Sequence, residues 1–254
     1  MTTPGGATDV VARRLAAAGC VASTEEASEL VEAAADPDVL EAMVCRREDG
    51  EPLPWITGRT LFCGRSIAVE RGVFVPRPQT EALARRAADL LPVGGRAADL
   101  CTGTGAIATH LATVPGARVV AVDIDTRAVA CARRNGVAAV RGDIAGPLRP
   151  GSVDVVTAVA PYVPTHALRL LPPDVQRHEP RPALDGGPDG LTLVQRVIIA
   201  AGAVLRPGGS VLLEIGGDQA PAVIAALGDT GFTAVQPWYD EDGDLRGVQA
   251  RTAS

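Results

Sequence analysis

Eight consecutive residues, Asp99-Leu100-Cys101-Thr102-Gly103-Thr104-Gly105-Ala106, carry the clearest chemical signal in the chain. They follow the apolar run that begins at Ala97 and lead into a helical pattern, so they form a strand-to-helix turn. Glycines there let backbone approach a ligand closely, and the helix N-terminus behind them presents unpaired N–H groups. That suits a nucleotide or nucleoside. Gly103, Gly105 and Ala108 also satisfy the dinucleotide spacing G-x-G-x-x-A, so the loop alone leaves two cofactor classes open. Asp123, ending a second apolar run, can accept hydrogen bonds from ribose hydroxyls in either class. Asp143 ends a third run, where its carboxylate can meet the exocyclic amine of a base or merely cap a turn. With Asp99, these acids predict three carboxylates around one crevice.

Other chemistry-bearing residues are scattered. His110, His166 and His178 lie on a helix and a long loop and suggest neither a metal site nor a triad. His178 beside Glu179 could act as a base, but reads first as a solvated loop residue. Arg133 and Arg134 read as a solvated helix face, and Trp55 and Trp238 as packing residues. The five cysteines contain no C-x-x-C pair and are odd in number, which points to reduced, buried thiols. All 24 basic residues are Arg, yet the net charge is −6, which argues against a general nucleic-acid binder. No apolar run is long enough to span a membrane, and the first ten residues lack a signal-peptide pattern. A cytoplasmic enzyme is expected.

The elements that must position these residues fall into three stretches. Residues 1–50 read as a small helical domain: a helix over Asp9–Ala18, another opened by a Ser23/Glu26 capping box, and a third capped by Asp36 with Pro37 at its first position. In the third, Val39, Leu40, Met43 and Val44 share a face. Residues 51–80 read as linker, hairpin and hinge. The hairpin turns at Cys63-Gly64 and leads into Val73–Val75, before Pro76 and Pro78 block regular structure. Residues 81–254 alternate strands and helices, which predicts a doubly wound α/β domain with a mostly parallel, seven-stranded sheet. Val153–Val159 is nearly continuous in β-branched residues, as a strand buried on both faces should be. Residues 160–190 form a long irregular segment, a length usual for functional or mobile loops.

The chain resembles the protein (glutamine-N5) methyltransferases that modify release factors and a ribosomal protein. The hinge Val73-Phe74-Val75-Pro76-Arg77-Pro78-Gln79-Thr80-Glu81 is similar to that family's I-P-R-P-E-T-E. Asp123-Ile124-Asp125, Gly142-Asp143, Glu179-Pro180, Gly186-Gly187, Asp189-Gly190-Leu191, Pro207-Gly208-Gly209 and Glu214-Ile215-Gly216 follow in family order. The resemblance implies S-adenosylmethionine as cofactor, held by Asp99, Cys101, Thr102, Gly103, Thr104, Gly105, Asp123, Ile124, Asp143 and Ile144. It also implies that the N-terminal helices recognise substrate.

After the fourth strand the family carries N-P-P-Y, whose Asn and following carbonyl hold an amide nitrogen while the Tyr shapes the slot. This chain has Val159-Ala160-Pro161-Tyr162 instead. An amide nitrogen must be positioned and released from conjugation before it can attack a sulfonium methyl. Loss of one acceptor costs on the order of 1 to 3 kcal/mol in a desolvated site. The expected activity is therefore methylation of a protein glutamine or of another nitrogen on a peptide or small molecule. The alternatives are a cofactor-binding protein that has lost catalysis, an NAD-dependent oxidoreductase, disfavoured because the chain has no Lys or hydride-transfer motif, and a DNA adenine methyltransferase, disfavoured by its acidity.

Overall fold

The computed structural model describes residues 4–240 and 242–253. Four helices come first: α1 (Pro4–Ala17), α2 (Ser23–Ala33), α3 (Pro37–Glu48) and α4 (Leu53–Thr57). Their apolar faces meet in a cluster that includes Leu15, Ala27, Leu30, Met43, Val44 and Ile56. Asp36 caps α3 as its sequence predicts, accepting from the Val39 amide at 2.8 Å. The predicted Ser23/Glu26 box does not form. Ala22 is the residue before α2, and Glu26 instead pairs with Arg47 of α3 at 2.6 Å, the tertiary ion pair winning over the local cap. Val39 also departs from its expected face and is exposed.

The two short strands β1 (Arg59–Phe62) and β2 (Arg65–Ala68) pair antiparallel. Cys63 and Gly64 both take positive φ, 48° and 72°, which is the twist a two-residue hairpin needs. Residues 73–75 form no strand. Trp55 packs on Val69 and Val75, and its indole N–H donates to the Val73 carbonyl at 2.9 Å, so that stretch serves as a tie between helices and hinge.

The large sheet contains β3 (Arg96–Leu100), β4 (Arg118–Asp123), β5 (Ala138–Arg141), β6 (Val153–Ala158), β7 (Leu205–Glu214), β8 (Phe232–Tyr239) and β9 (Leu245–Thr252). Their order is β5-β4-β3-β6-β7-β9-β8, with β9 antiparallel to both neighbours and the other pairs parallel. Every residue of β6 is buried. Val156 packs on one face, with Val197 and Ile198 of α9 (Thr192–Val204), and Val155 on the other, with Leu83 and Ala87 of α5 (Glu81–Leu90). This is strand alternation in a sheet covered on both sides.

The chain progresses outward from β3 to β5, then returns to start β6 on the other side of β3. Such a reversal opens a crevice at the carboxyl ends of the two central strands. The glycine loop leaves β3 there, and Val159-Ala160-Pro161-Tyr162 leaves β6 there. The long segment after it is less irregular than its sequence suggests. It contains a 3-10 turn at 165–170 and α8 (Pro173–His178), and closes on itself where Val163 bridges Asp185.

Candidate functional site

The glycine loop is built on backbone conformations that side chains resist. Gly103 and Gly105 have φ of +56° and +78°, and the non-glycine Cys101 also sits at +54°. A Cβ on Gly105 would stand 2.9 Å from that of Ala132 on α7 (Thr126–Arg134), so this glycine lets helix and loop close on each other. A Cβ on Gly103 would meet nothing nearer than the Phe74 carbonyl, 4.0 Å away. Gly103 therefore faces open space, roofed by the hinge. Asn135 anchors the loop from behind, its amide donating to the Thr104 and Ala68 carbonyls.

The three acids do not all face that space. Asp99 is 1% exposed and accepts the hydroxyls of Thr102 at 2.5 Å and Thr157 at 2.7 Å. Burial pushes its carboxyl up to about 6, against the lowering effect of those hydroxyls. Asp99 thus holds the loop to β6 from inside the sheet. Asp123 accepts the Gly103 amide on one oxygen and the Asp125 amide on the other, each at 2.9 Å, leaving lone pairs for ribose hydroxyls. Burial raises it as well. Beside it Ile124 is 63% exposed, an apolar surface at the mouth of a polar site. Asp143 carries its carboxylate at the surface, paired at 2.7 Å with Arg196 of α9, and its carbonyl accepts from Gly146 in a turn. The next residue, Ile144, is buried with φ of +50°.

Charge from all three acids still converges on one atom. The Cys101 thiol is pushed up to about 12, first by burial and then by Asp123, Asp99 and Asp143. It is an inert wall of the loop. The expectation of buried thiols holds only for Cys131; Cys45 is exposed and the other three are half-buried.

Across the crevice, Ala160 is buried and Val159 packs against the apolar cluster under α5. No polar side chain stands at either position. Tyr162 is held at three points. Its ring lies against Gly216, where a Cβ would come within 3.0 Å of the ring edge; its carbonyl accepts from Gln219 at 2.9 Å; its hydroxyl donates to Glu214 at 3.2 Å. Burial pushes the phenol above its ordinary value.

Pattern reading did not foresee which partners several residues of this region take. Arg77 on the hinge pairs with Glu179, whose side chain is 1% exposed, and stacks 4.9 Å over Phe74. His178 is not a free loop residue: its ring lies 3.2 Å from the Asp49 carbonyl, which Arg177 also contacts. Thr157 leaves a trace, being the hydroxyl that interrupts an apolar strand.

A sheet of this order, with a glycine loop after its first central strand and a ribose-ready carboxylate after the next, defines a class I S-adenosylmethionine-dependent methyltransferase. Residues 97–177 match the family model for a methyltransferase domain. A release factor glutamine methyltransferase from Geobacter sulfurreducens is 37% identical, the match covering 82% of this chain and 76% of that protein. A 4-amino-L-phenylalanine/4-methylamino-L-phenylalanine methyltransferase from Streptomyces pristinaespiralis is 36% identical, covering 83% and 77%. A solved methyltransferase from Pyrococcus furiosus shares the fold at a TM-score of 0.58 and 20% identity, covering 76% of this chain and 91% of that one. The chain belongs to the release factor glutamine methyltransferase family. Its cofactor is S-adenosylmethionine, and it transfers the methyl group to nitrogen. Among the described residues, no helix is long and apolar enough to cross a membrane.

Proposed function

We propose that the acceptor is an amine-type nitrogen on a small molecule or peptide, laid in the slot formed by Ala160, Pro161 and Tyr162, with Val159 closing its apolar wall. The observation that carries this is Val159. A carboxamide nitrogen needs an acceptor for its N–H at this place, and a valine packed on an apolar cluster leaves that donor unpaired. An amine has a free lone pair and needs less help. A relative as similar as the release-factor enzymes is named for an aromatic amino acid bearing such a group.

When bound, S-adenosylmethionine supplies an electrophilic methyl carbon on a sulfonium. In this reading Asp123 binds its ribose, Gly103 gives it space and Ile124 lines the site. Asp143 meets the base from the surface, where one of its oxygens pairs with Arg196. The set Asp99, Cys101, Thr102, Thr104, Gly105 and Ile144 shapes the loop. Residues 1–50 form the acceptor-recognition domain, 51–80 the hinge and 81–254 the catalytic domain, with a cytoplasmic setting. The contacts of Arg177 and His178 with Asp49 support a link between recognition helices and slot.

A second reading, methylation of a release-factor glutamine, is favoured by the names of most relatives and by the retained Ala160 carbonyl, which with a bound water could replace the Asn. A labelled-methyl assay decides, with release factor and 4-amino-L-phenylalanine each offered to wild type and Val159→Asn. Label on the amine with wild type, and on glutamine only after the substitution, is expected. Robust wild-type labelling of glutamine, little improved by Asn, refutes the proposal.

A further inference from the structure

Glu214, 8% exposed, ends β7 deep beside the slot. One oxygen accepts the Thr80 hydroxyl at 2.6 Å and the other the Tyr162 hydroxyl at 3.2 Å. Thr80 belongs to the hinge and is itself buried. A single carboxylate thus bridges the segment that roofs the glycine loop and the side chain that shapes the acceptor slot. A buried charge costs several kcal/mol of desolvation, and a neutral residue of the same shape would hold a merely structural position as well.

Resting on the reading of Pro161-Tyr162 as the slot, we propose that Glu214 is a positioning residue that locks the Tyr162 ring against the acceptor nitrogen and couples that lock to the hinge through Thr80. The ring has little freedom apart from the hydroxyl end. Gly216 supports its edge, and Gln219 ties the Tyr162 carbonyl to the Gly216 amide by accepting from the latter at 3.1 Å. Among the described residues, Glu214 alone hydrogen-bonds the hydroxyl. Both hydroxyls donate to it, which favours the carboxylate form. Burial raises its carboxyl, while Thr80, Tyr162, Arg246 of β9 and Arg77 of the hinge favour the charge. Arg246 is itself engaged by Asp240 at 2.6 Å, so the two hydroxyls are the direct partners. Misplacement of a positioning group by about 1 Å can cost about a hundredfold in rate.

Two measurements test this. The chain has two tyrosines, so in a Tyr239→Phe background the ultraviolet absorbance of phenolate reports Tyr162 alone. Its ionisation midpoint should lie above the ordinary tyrosine value and fall toward it in Glu214→Gln, because burial beside a negative charge is what raises it. Circular dichroism over the same range checks that the protein stays folded. Kinetics then use whichever of 4-amino-L-phenylalanine and release factor the wild type methylates. Glu214→Gln and Tyr162→Phe should each lower kcat about tenfold or more with the KM for S-adenosylmethionine unchanged, Glu214→Ala should be worse than Gln, and the double variant no worse than Tyr162→Phe. An unmoved midpoint, an unchanged kcat in Glu214→Gln, or additive losses overturn the proposal. A wild type inactive on both acceptors refutes the acceptor reading, and Glu214 is then judged on the phenolate midpoint alone.

Discussion

Replacing Asp99 with Asn removes a charge from the middle of the sheet and leaves its shape. The carboxyl rises from 3.8 to about 6 on folding, chiefly through burial. At about 1.4 kcal/mol per pKa unit, the folded state loses about 3 kcal/mol once the group is ionised in both states. The sign follows from which state ionises first. Below about pH 4 both states hold the proton and nothing is lost; between 4 and 6 only the unfolded chain releases it, so stability falls as pH rises through that window. Asn, like the protonated acid, keeps one acceptor for Thr157 and can donate to the Thr102 oxygen, and the shift to about 6 already includes what the two hydroxyls give the charged form. Ligand-free Asp99→Asn should therefore be about 3 kcal/mol more stable than wild type near pH 8, a rise in Tm of about 6 to 12 °C, with the gain gone near pH 4. Thermal melts across that range measure it. A variant that is less stable near pH 8, or whose difference does not change with pH, refutes the reasoning.

Asp123→Ala should weaken S-adenosylmethionine by about 2 kcal/mol or more, since the ribose acceptor and the tether of the Gly103 amide go together. Calorimetric titration measures it, and the wild-type affinity should itself increase from about pH 5 to 7, because a cationic ligand favours the ionised forms of Asp99 and Asp123, both raised by burial. Gly105→Ala should cost about 2 to 4 kcal/mol in denaturant titrations, having both positive φ and a Cβ 2.9 Å from Ala132; Gly103→Ala, which meets open space, should cost about 1. Arg77→Ala should destabilise by about 3 kcal/mol at neutral pH, because Glu179 is left buried and unpaired, and adding Glu179→Gln should recover most of that.

Sequence by itself determined most of the frame. The alternating strands and helices after residue 81 are where their patterns predict, β6 reads as a wholly buried strand, and Gly103 and Gly105 mark the loop, because periodicity and positive φ are local properties written into local residues. The family and cofactor were legible for the same reason, in short motifs that keep their order. Tertiary structure decided which polar atoms meet. Asp99 and Asp123 look alike as acids ending strands, yet one is turned into the sheet between Thr102 and Thr157 and the other holds the loop amide at the crevice. Ser23 had a cap pattern that lost Glu26 to Arg47, 21 residues away. The bond from Thr80 to Glu214 spans 134 residues, and that from Arg77 to Glu179 spans 102. No window of sequence contains such pairs. They exist because the reversal at β3 and β6 brings the hinge, the slot and the end of β7 to one edge of the sheet, where buried charges must find partners across the chain.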